Sequence, residues 1–138
     1  MQALELVNLA DHPNLGIILD TYHMVTEVRD YAAGIRCVGD RLWGVHACEN
    51  DRGVPGGGLV PWDAVLGALV EVQPEARIMP ETYNTSIGDH GYRRGLFQNQ
   101  CPDGDTFASR AFAFLKSRAA EADRRLEAAA PGPTGSAA

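Results

Sequence analysis

The sequence has few thiols, no cluster of basic residues and no long apolar stretch, and each lack removes a class of protein. Cys37, Cys48 and Cys101 are the only three cysteines. None stands in a CxxC pair and an odd number cannot all be bridged within one chain, so neither a disulfide scaffold nor a thiolate zinc site is expected. A reducing, cytoplasmic compartment is the expected setting. Lys and Arg number 12 against 18 Asp and Glu, a net charge of -6, so neither a nucleic acid nor an anionic membrane surface is the expected partner. No apolar run approaches the ~20 residues of a membrane-spanning helix. The opening MQALELVNLADH lacks the basic and apolar regions of a signal peptide. The glycine-rich stretch GVPGGG, residues 53 to 58, has neither GxGxxG spacing nor a following Lys-Ser/Thr. A dinucleotide or phosphate loop is therefore not predicted there, and a flexible βα loop is. Small solutes and other proteins remain as partners.

What is present suits one folded unit. The 138 residues are enough for one ordinary domain, and 45% hydrophobic with 22% charged residues is the usage of a chain with a core. Three runs are apolar without alternation, as strands buried on both faces are: LGIILD (15–20), LWGVHA (42–47) and ARIMPE (76–81). Helical spacing separates them. Val28, Tyr31, Ala32, Ile35 and Val38 precede Gly39, placed as a residue just past a helix end; Val65, Leu66, Leu69 and Val70 follow Pro61, placed near a helix start. A last helix is predicted from about Thr106, capped by Asp103 or Asp105, with Phe107, Ala111, Phe114 and Leu115 on one side. Residues 1–11 read as the end of an earlier helix. From Glu127 the chain, EAAAPGPTGSAA, is too small-residue and Pro/Gly-rich to offset the entropy of ordering, so 127–138 is expected to be a disordered tail and 1–126 the folded part.

The order α-β-α-β-α-β-α describes a parallel α/β sheet, and such sheets gather their chemistry at the carboxyl ends of the strands. The polar residues ending the three runs are Asp20, His46 and Glu81. Two carboxylates and an imidazole from three strands make a candidate divalent-metal site. Mixed oxygen and nitrogen donors suit Mn²⁺, Mg²⁺ or Co²⁺ as well as Zn²⁺, and the carboxylate share favours Mn²⁺ or Mg²⁺. Taken singly, each residue has a structural alternative; a strand-end Asp commonly caps the loop or helix that follows. His23, three residues after Asp20, and Arg52, six after His46, are candidate substrate-binding groups, Arg52 through its planar fork of donors. Each alone is more often a loop hydrogen-bonder. Cys48 beside His46 suggests a Cys/His nucleophile, but no orienting third group or thiolate-stabilising helix end accompanies it. His12 and His90 are expected as exposed loop residues, and Arg93 and Arg94 as charges with only a weak claim on a substrate.

The segments LDTYHM, VHACENDRGVPGGG and PETYN together resemble the sugar isomerase/epimerase superfamily of xylose isomerase-like β/α barrels, and within it the ketose 3-epimerases of the tagatose and psicose type. The resemblance spans about residues 1–120 and implies part of a (β/α)8 barrel, its last three parallel strands with their helices. It implies Asp20, His46 and Glu81 as metal ligands, with Mn²⁺ the expected ion and Mg²⁺ or Co²⁺ as alternatives. Glu81 would also move a proton, and His23 and Arg52 would touch the sugar. A proton beside a ketose carbonyl is too weakly acidic to leave unaided. A cation on the substrate oxygens stabilises the enediolate, and carboxylates on opposite faces remove and return the proton.

The second such carboxylate belongs, in the family, to the strand before the one carrying Asp20, and this sequence opens on the helix after that strand. A whole barrel takes eight strands and typically ~250 residues. A truncated gene or misassigned start is the favoured expectation, a partner chain completing the barrel the next, and a decayed remnant the third. Two copies in a homo-oligomer would supply six strands, which does not close an eight-stranded barrel. Within the superfamily, hydroxypyruvate isomerase and inosose dehydratase chemistry stay open as alternatives. An endonuclease IV-type phosphodiesterase would bring more histidines and a basic face. The reading from another class is a non-catalytic remnant or barrel half.

Overall fold

The computed structural model describes residues 2–83, 88–101 and 103–129. In chain order the elements are α1 (Gln2–Ala10), β1 (Ile17–Asp20), α2 (Thr21–Glu27), α3 (Tyr31–Val38), a 3₁₀ turn at Gly39–Arg41, β2 (Leu42–Ala47), α4 (Trp62–Val72), β3 (Arg77–Pro80), α5 (His90–Arg93) and α6 (Gly104–Ala129). All three expected strands form, and they make one parallel sheet in the order β1-β2-β3.

The expected helix over Val28–Val38 begins only at Tyr31, and a separate helix, α2, precedes it. Asp20 caps α2, its side chain accepting from Tyr22 N, and α2 ends at Val28, which is extended at φ -129° and ψ 150°. Asp30 then caps α3 by accepting from Ala33 N. The apolar spacing carries no mark of this break, because the two caps that make it are polar residues outside the periodic face. Gly39 ends α3 at φ +58°, a left-handed value suited to glycine. Asp103 caps α6, its Oδ1 accepting from Thr106 N at 2.8 Å. That helix runs to Ala129, past the expected start of the tail at Glu127. Residues 130–138 lie outside the described residues. His90, expected in a loop, starts the short helix α5.

Register fixes which face of the sheet does what. Leu19, Val45 and Ile78 are aligned across the three strands and pack into the core with Ile35 of α3, Val65, Leu66 and Leu69 of α4, and Leu115 of α6. By the alternation of a strand, the opposite face carries Ile18 and Asp20, then Gly44 and His46, then Arg77 and Met79. No helix covers that face among the described residues: Ile18 is 51% exposed and Trp43 48%. Trp43 sits where the β1–β2 register slips between Ile17 and Ile18, and its ring lies against Gly16, where a Cβ would collide with it. An open parallel sheet with helices on one side thus presents its strand-end residues on the uncovered side.

Candidate functional site

Asp20 and His46 are register partners on adjacent strands. β3 ends at Pro80, but Glu81 N still donates to Ala47 O at 3.2 Å, so the ladder continues one residue and holds Glu81 just past them, two positions beyond Met79, the register partner of His46. The result joins residues far apart in sequence. His46 Nδ1 lies 3.3 Å from Glu81 Oε2 and 4.0 Å from Asp20 Oδ2. His23 Nε2 stands 3.8 Å from Asp20 Oδ2 at the exposed edge of the group.

Asp20 caps the helix as its position suggested, and its two oxygens face different partners. Its Oδ1 accepts the cap bond from Tyr22 N at 2.9 Å and a bond from the Cys48 thiol at 3.4 Å, while Oδ2 faces His46, His23 and Arg52. Burial pushes the Asp20 carboxyl up, but the Arg52 charge and the bonds from Cys48 and Tyr22 outweigh it and hold the carboxyl below its ordinary range.

Arg52 is the centre of the group and is only 2% exposed. Its Nη1 donates to Glu81 Oε2 at 2.7 Å, to Asp20 Oδ2 at 3.1 Å and to Cys48 Sγ at 3.1 Å, and its Nη2 lies 3.3 Å from His23 Nε2. The guanidinium plane is sandwiched between the rings of Tyr22 and Tyr83, at 4.2 and 4.5 Å from their centroids. Nε is buried and has no hydrogen-bond partner among the described residues. The backbone that aims this side chain inward takes φ +61°, unusual for a residue with a Cβ.

The loop holding Arg52 is tied down, not loose as the glycine content suggested. Glu49 is buried; its Oε1 accepts from Gly56 N and Trp62 Nε1, each at 2.6 Å, and its Oε2 from Val60 N at 3.1 Å. Asn50 Oδ1 accepts from Leu59 N at 2.8 Å and Asp51 Oδ1 from Gly53 N at 2.8 Å. The glycines serve this wrapping: a Cβ on Gly58 would collide with the Asn50 and Glu49 side chains, and Gly56 sits at φ +97° against the Phe114 ring. Thr82 Oγ1 fixes the far side by donating to Arg52 O at 2.7 Å.

Thr21, Tyr22 and Tyr83 were not legible as parts of this site, and Cys48 was weighed only as a nucleophile. Thr21 is fully buried, accepting from Cys48 N at 2.9 Å and donating to Cys48 O at 2.6 Å, which clamps the end of β2 to the start of α2. The one signal available was adjacency, since each follows a strand-end residue within two positions. Burial first, and then the Asp20 charge, push the Cys48 thiol up to about 11. It is a neutral donor to Asp20, not the thiolate a nucleophile needs. Of the weaker candidates, Arg93 is paired with Asp89 through Nε at 2.6 Å and Arg94 lies over Tyr83 at 5.5 Å. His12 is an exposed turn residue whose Nδ1 accepts from Asn14 N.

The donor set can be tested against a metal. Asp20, Cys48 and Glu81 offer ligand atoms within 4.8 Å of one another. Sulfur is a soft donor and a poor third ligand for a hard ion. His46 Nδ1, at 3.3 and 4.0 Å from the two carboxylates, is the better one. Ligands about 2.0–2.3 Å from one ion stand roughly 3–4.5 Å apart, so Asp20, His46 and Glu81 fit a divalent cation that takes oxygen and nitrogen.

Comparisons with known proteins bear on the whole of this arrangement. The family model described as xylose isomerase-like TIM barrel matches residues 1–117. The chain is 32% identical to the L-ribulose 3-epimerase of Methylomonas sp. (strain DH-1) over 120 residues, 86% of this chain and 42% of that protein. A solved L-ribulose 3-epimerase superposes with a TM-score of 0.84 at 25% identity, over 96% of this chain and 46% of the other. The D-allulose 3-epimerase from Methylomonas sp. in complex with D-allulose gives 0.75 at 30% identity, over 83% and 41%. The chain thus spans less than half the length of these relatives.

Proposed function

The chain belongs to the xylose isomerase-like TIM barrel family, and from that premise we propose that it is the metal-binding part of a ketose 3-epimerase-type enzyme acting on a small sugar. The observation that carries the reading is the meeting of Asp20 Oδ2, His46 Nδ1 and Glu81 Oε2 at three successive strand ends, with His46 3.3 to 4.0 Å from the two carboxylates. Its open sheet matches part of solved barrels in this family. The relatives' names supply the reaction class, and the uncovered sheet face supplies an inner wall for the sugar to approach.

Asp20, His46 and Glu81 would hold the cation, Mn²⁺ first and Mg²⁺ or Co²⁺ as alternatives. When bound, such a cation polarises the sugar's carbonyl and hydroxyl oxygens so that the neighbouring C–H becomes acidic. Glu81 then takes or returns the proton at a carboxylate oxygen. Arg52 Nη1 and His46 Nδ1 lie against its Oε2 at 2.7 and 3.3 Å and fix where that oxygen stands. His23, 66% exposed at the edge of the group, is placed to meet a sugar hydroxyl. Tyr22 and Tyr83 orient Arg52 by stacking. Inversion at carbon requires a second carboxylate on the other face of the sugar. The family resemblance assigns it to a strand ahead of β1, contributed by the rest of a longer polypeptide or by a partner chain. The cell compartment belongs to the same proposal: cytoplasmic, for an enzyme of small soluble sugars. No helix among the described residues is long and apolar enough to cross a membrane.

Solvent deuterium entering a ketose at C3 in the presence of Mn²⁺ is the test. Exchange by the chain, or by the chain together with the segment completing its barrel, and its loss in Glu81→Gln with metal still bound, supports the assignment. Undiminished exchange in Glu81→Gln would mean another group moves the proton. The second reading, a non-catalytic barrel half, is favoured by the exposure of Ile18 and Trp43 on the inner face. It predicts no exchange even in the completed barrel.

A further inference from the structure

Arg52 occupies a position that is hard to reconcile with a bound cation. The three groups whose ligand atoms cluster within 4.8 Å are Asp20, Cys48 and Glu81. The same three surround one nitrogen, Arg52 Nη1, at 3.1, 3.1 and 2.7 Å. The two carboxylate oxygens it takes, Asp20 Oδ2 and Glu81 Oε2, are also the two that face His46 Nδ1. A guanidinium is therefore seated against both carboxylates of the metal-ligand set, carrying one positive charge where a divalent ion would carry two. Two positive charges on the same pair of oxygens repel one another at contact distance, so each weakens the hold of the other.

We propose that Arg52 is a built-in counter-cation for the Asp20–Glu81 pair, and that its seat there and divalent-metal binding exclude one another. The proposal rests on the metal reading given above. Its physical ground is the cost of burying two carboxylates and an arginine without partners: in the metal-free chain the arginine offsets one of the two negative charges and gains its own partners. The seat is not a fully satisfied one for the arginine. Its Nε is buried without a partner, and its backbone is held at φ +61°. Nη2 already reaches toward His23, whose side chain is 66% exposed at the open edge of the site. Entry of a cation releases Nη1 in that direction, where sugar oxygens would arrive. The device therefore orders binding, cation before sugar, and sets a threshold cation concentration below which Arg52 keeps the site closed to metal.

Exclusion has a quantitative consequence. If the arginine seat is favoured, the apparent metal affinity is reduced by the fraction of chains in which the seat is empty. Removing the charge with Arg52→Gln should then raise Mn²⁺ affinity by about tenfold or more. Free Mn²⁺ is counted by its electron paramagnetic resonance signal during titration of the full chain. In parallel, phenylglyoxal labelling of the wild-type chain, mapped by mass spectrometry, reads whether Arg52 leaves its seat. Labelling at Arg52 should be low without metal and rise as Mn²⁺ saturates, while the exposed Arg36, paired with Glu71, stays constant as the control. If Arg52→Gln does not fold, the labelling decides alone. Unchanged or weaker Mn²⁺ affinity in a folded Arg52→Gln overturns the proposal, and so does protection that persists in the saturated wild type. Absence of Mn²⁺ binding in both chains sinks the metal reading itself, and the proposal with it; that outcome is told apart by the unbroken free-ion signal.

Discussion

Asp20 and His46 face each other across the β1–β2 ladder as register partners, with Asp20 Oδ2 and His46 Nδ1 4.0 Å apart. Strands in register place their last residues side by side on one face, so two residues 26 positions apart in the numbering become neighbours by pairing alone. Glu81 joins them because the β2–β3 ladder runs one bond beyond β3.

The two oxygens of Asp20 can be separated by substitution. Asp20→Asn keeps an acceptor for Tyr22 N and loses the charge facing His46 and Arg52, whereas Asp20→Ala loses both. Both variants should lose most of their divalent-metal binding. Asp20→Ala should be less stable than Asp20→Asn by about 1 kcal/mol, the worth of an N-cap. Metal titration and urea unfolding of the two variants check this.

Acid should uncover the same residue. The folded-state carboxyl of Asp20 titrates below its ordinary value of 3.8, so the stabilisation it contributes is present above that pH and is lost as pH falls through the lower folded-state value. Urea midpoints followed down to about pH 2 should fall more steeply for the wild type than for Asp20→Asn in this window. Equal slopes would remove Asp20 from the acid response.

Cys48 gives the mirror case at high pH. Its thiol is pushed up from 9.0 to about 11, so folding favours the protonated form, and that contribution is complete below 9.0 and lost as pH rises through about 11. Iodoacetamide at mildly alkaline pH should modify the exposed Cys37 and spare the buried Cys48 and Cys101. Cys48→Ala should flatten the loss of stability over that alkaline range.

Glu49 is the residue on which the Arg52 loop depends most. Glu49→Ala would leave the buried Val60 N and Trp62 Nε1, and the more exposed Gly56 N, without their acceptor. Each such orphan costs about 1–3 kcal/mol, so a loss of roughly 3 kcal/mol or more is expected by urea unfolding. Because the loop aims Arg52, phenylglyoxal should label Arg52 faster in Glu49→Ala without any metal. Glu49→Gln, which keeps one acceptor oxygen, should fall between.

Sequence by itself determined the features that obey local rules. The unbroken apolar runs ending in Asp20, His46 and Glu81 declared a parallel sheet with its strand-end polar residues at one end, and it appears as read; the loop read as flexible is instead held by Glu49 and Asn50. Helix α2 escaped because it is built on the Asp20 cap and not on an apolar period. Only the tertiary structure decided what Arg52 does. Its partners Asp20 and Glu81 lie 32 and 29 positions away in the chain, and its direction depends on a left-handed backbone set by the Glu49 loop. The spacing that marked Arg52 as a donor for sugar oxygens carries no sign of this, since charge pairing acts through distance in space. In the folded chain the nearest acceptors to that guanidinium are the carboxylates that the sequence had reserved for a metal.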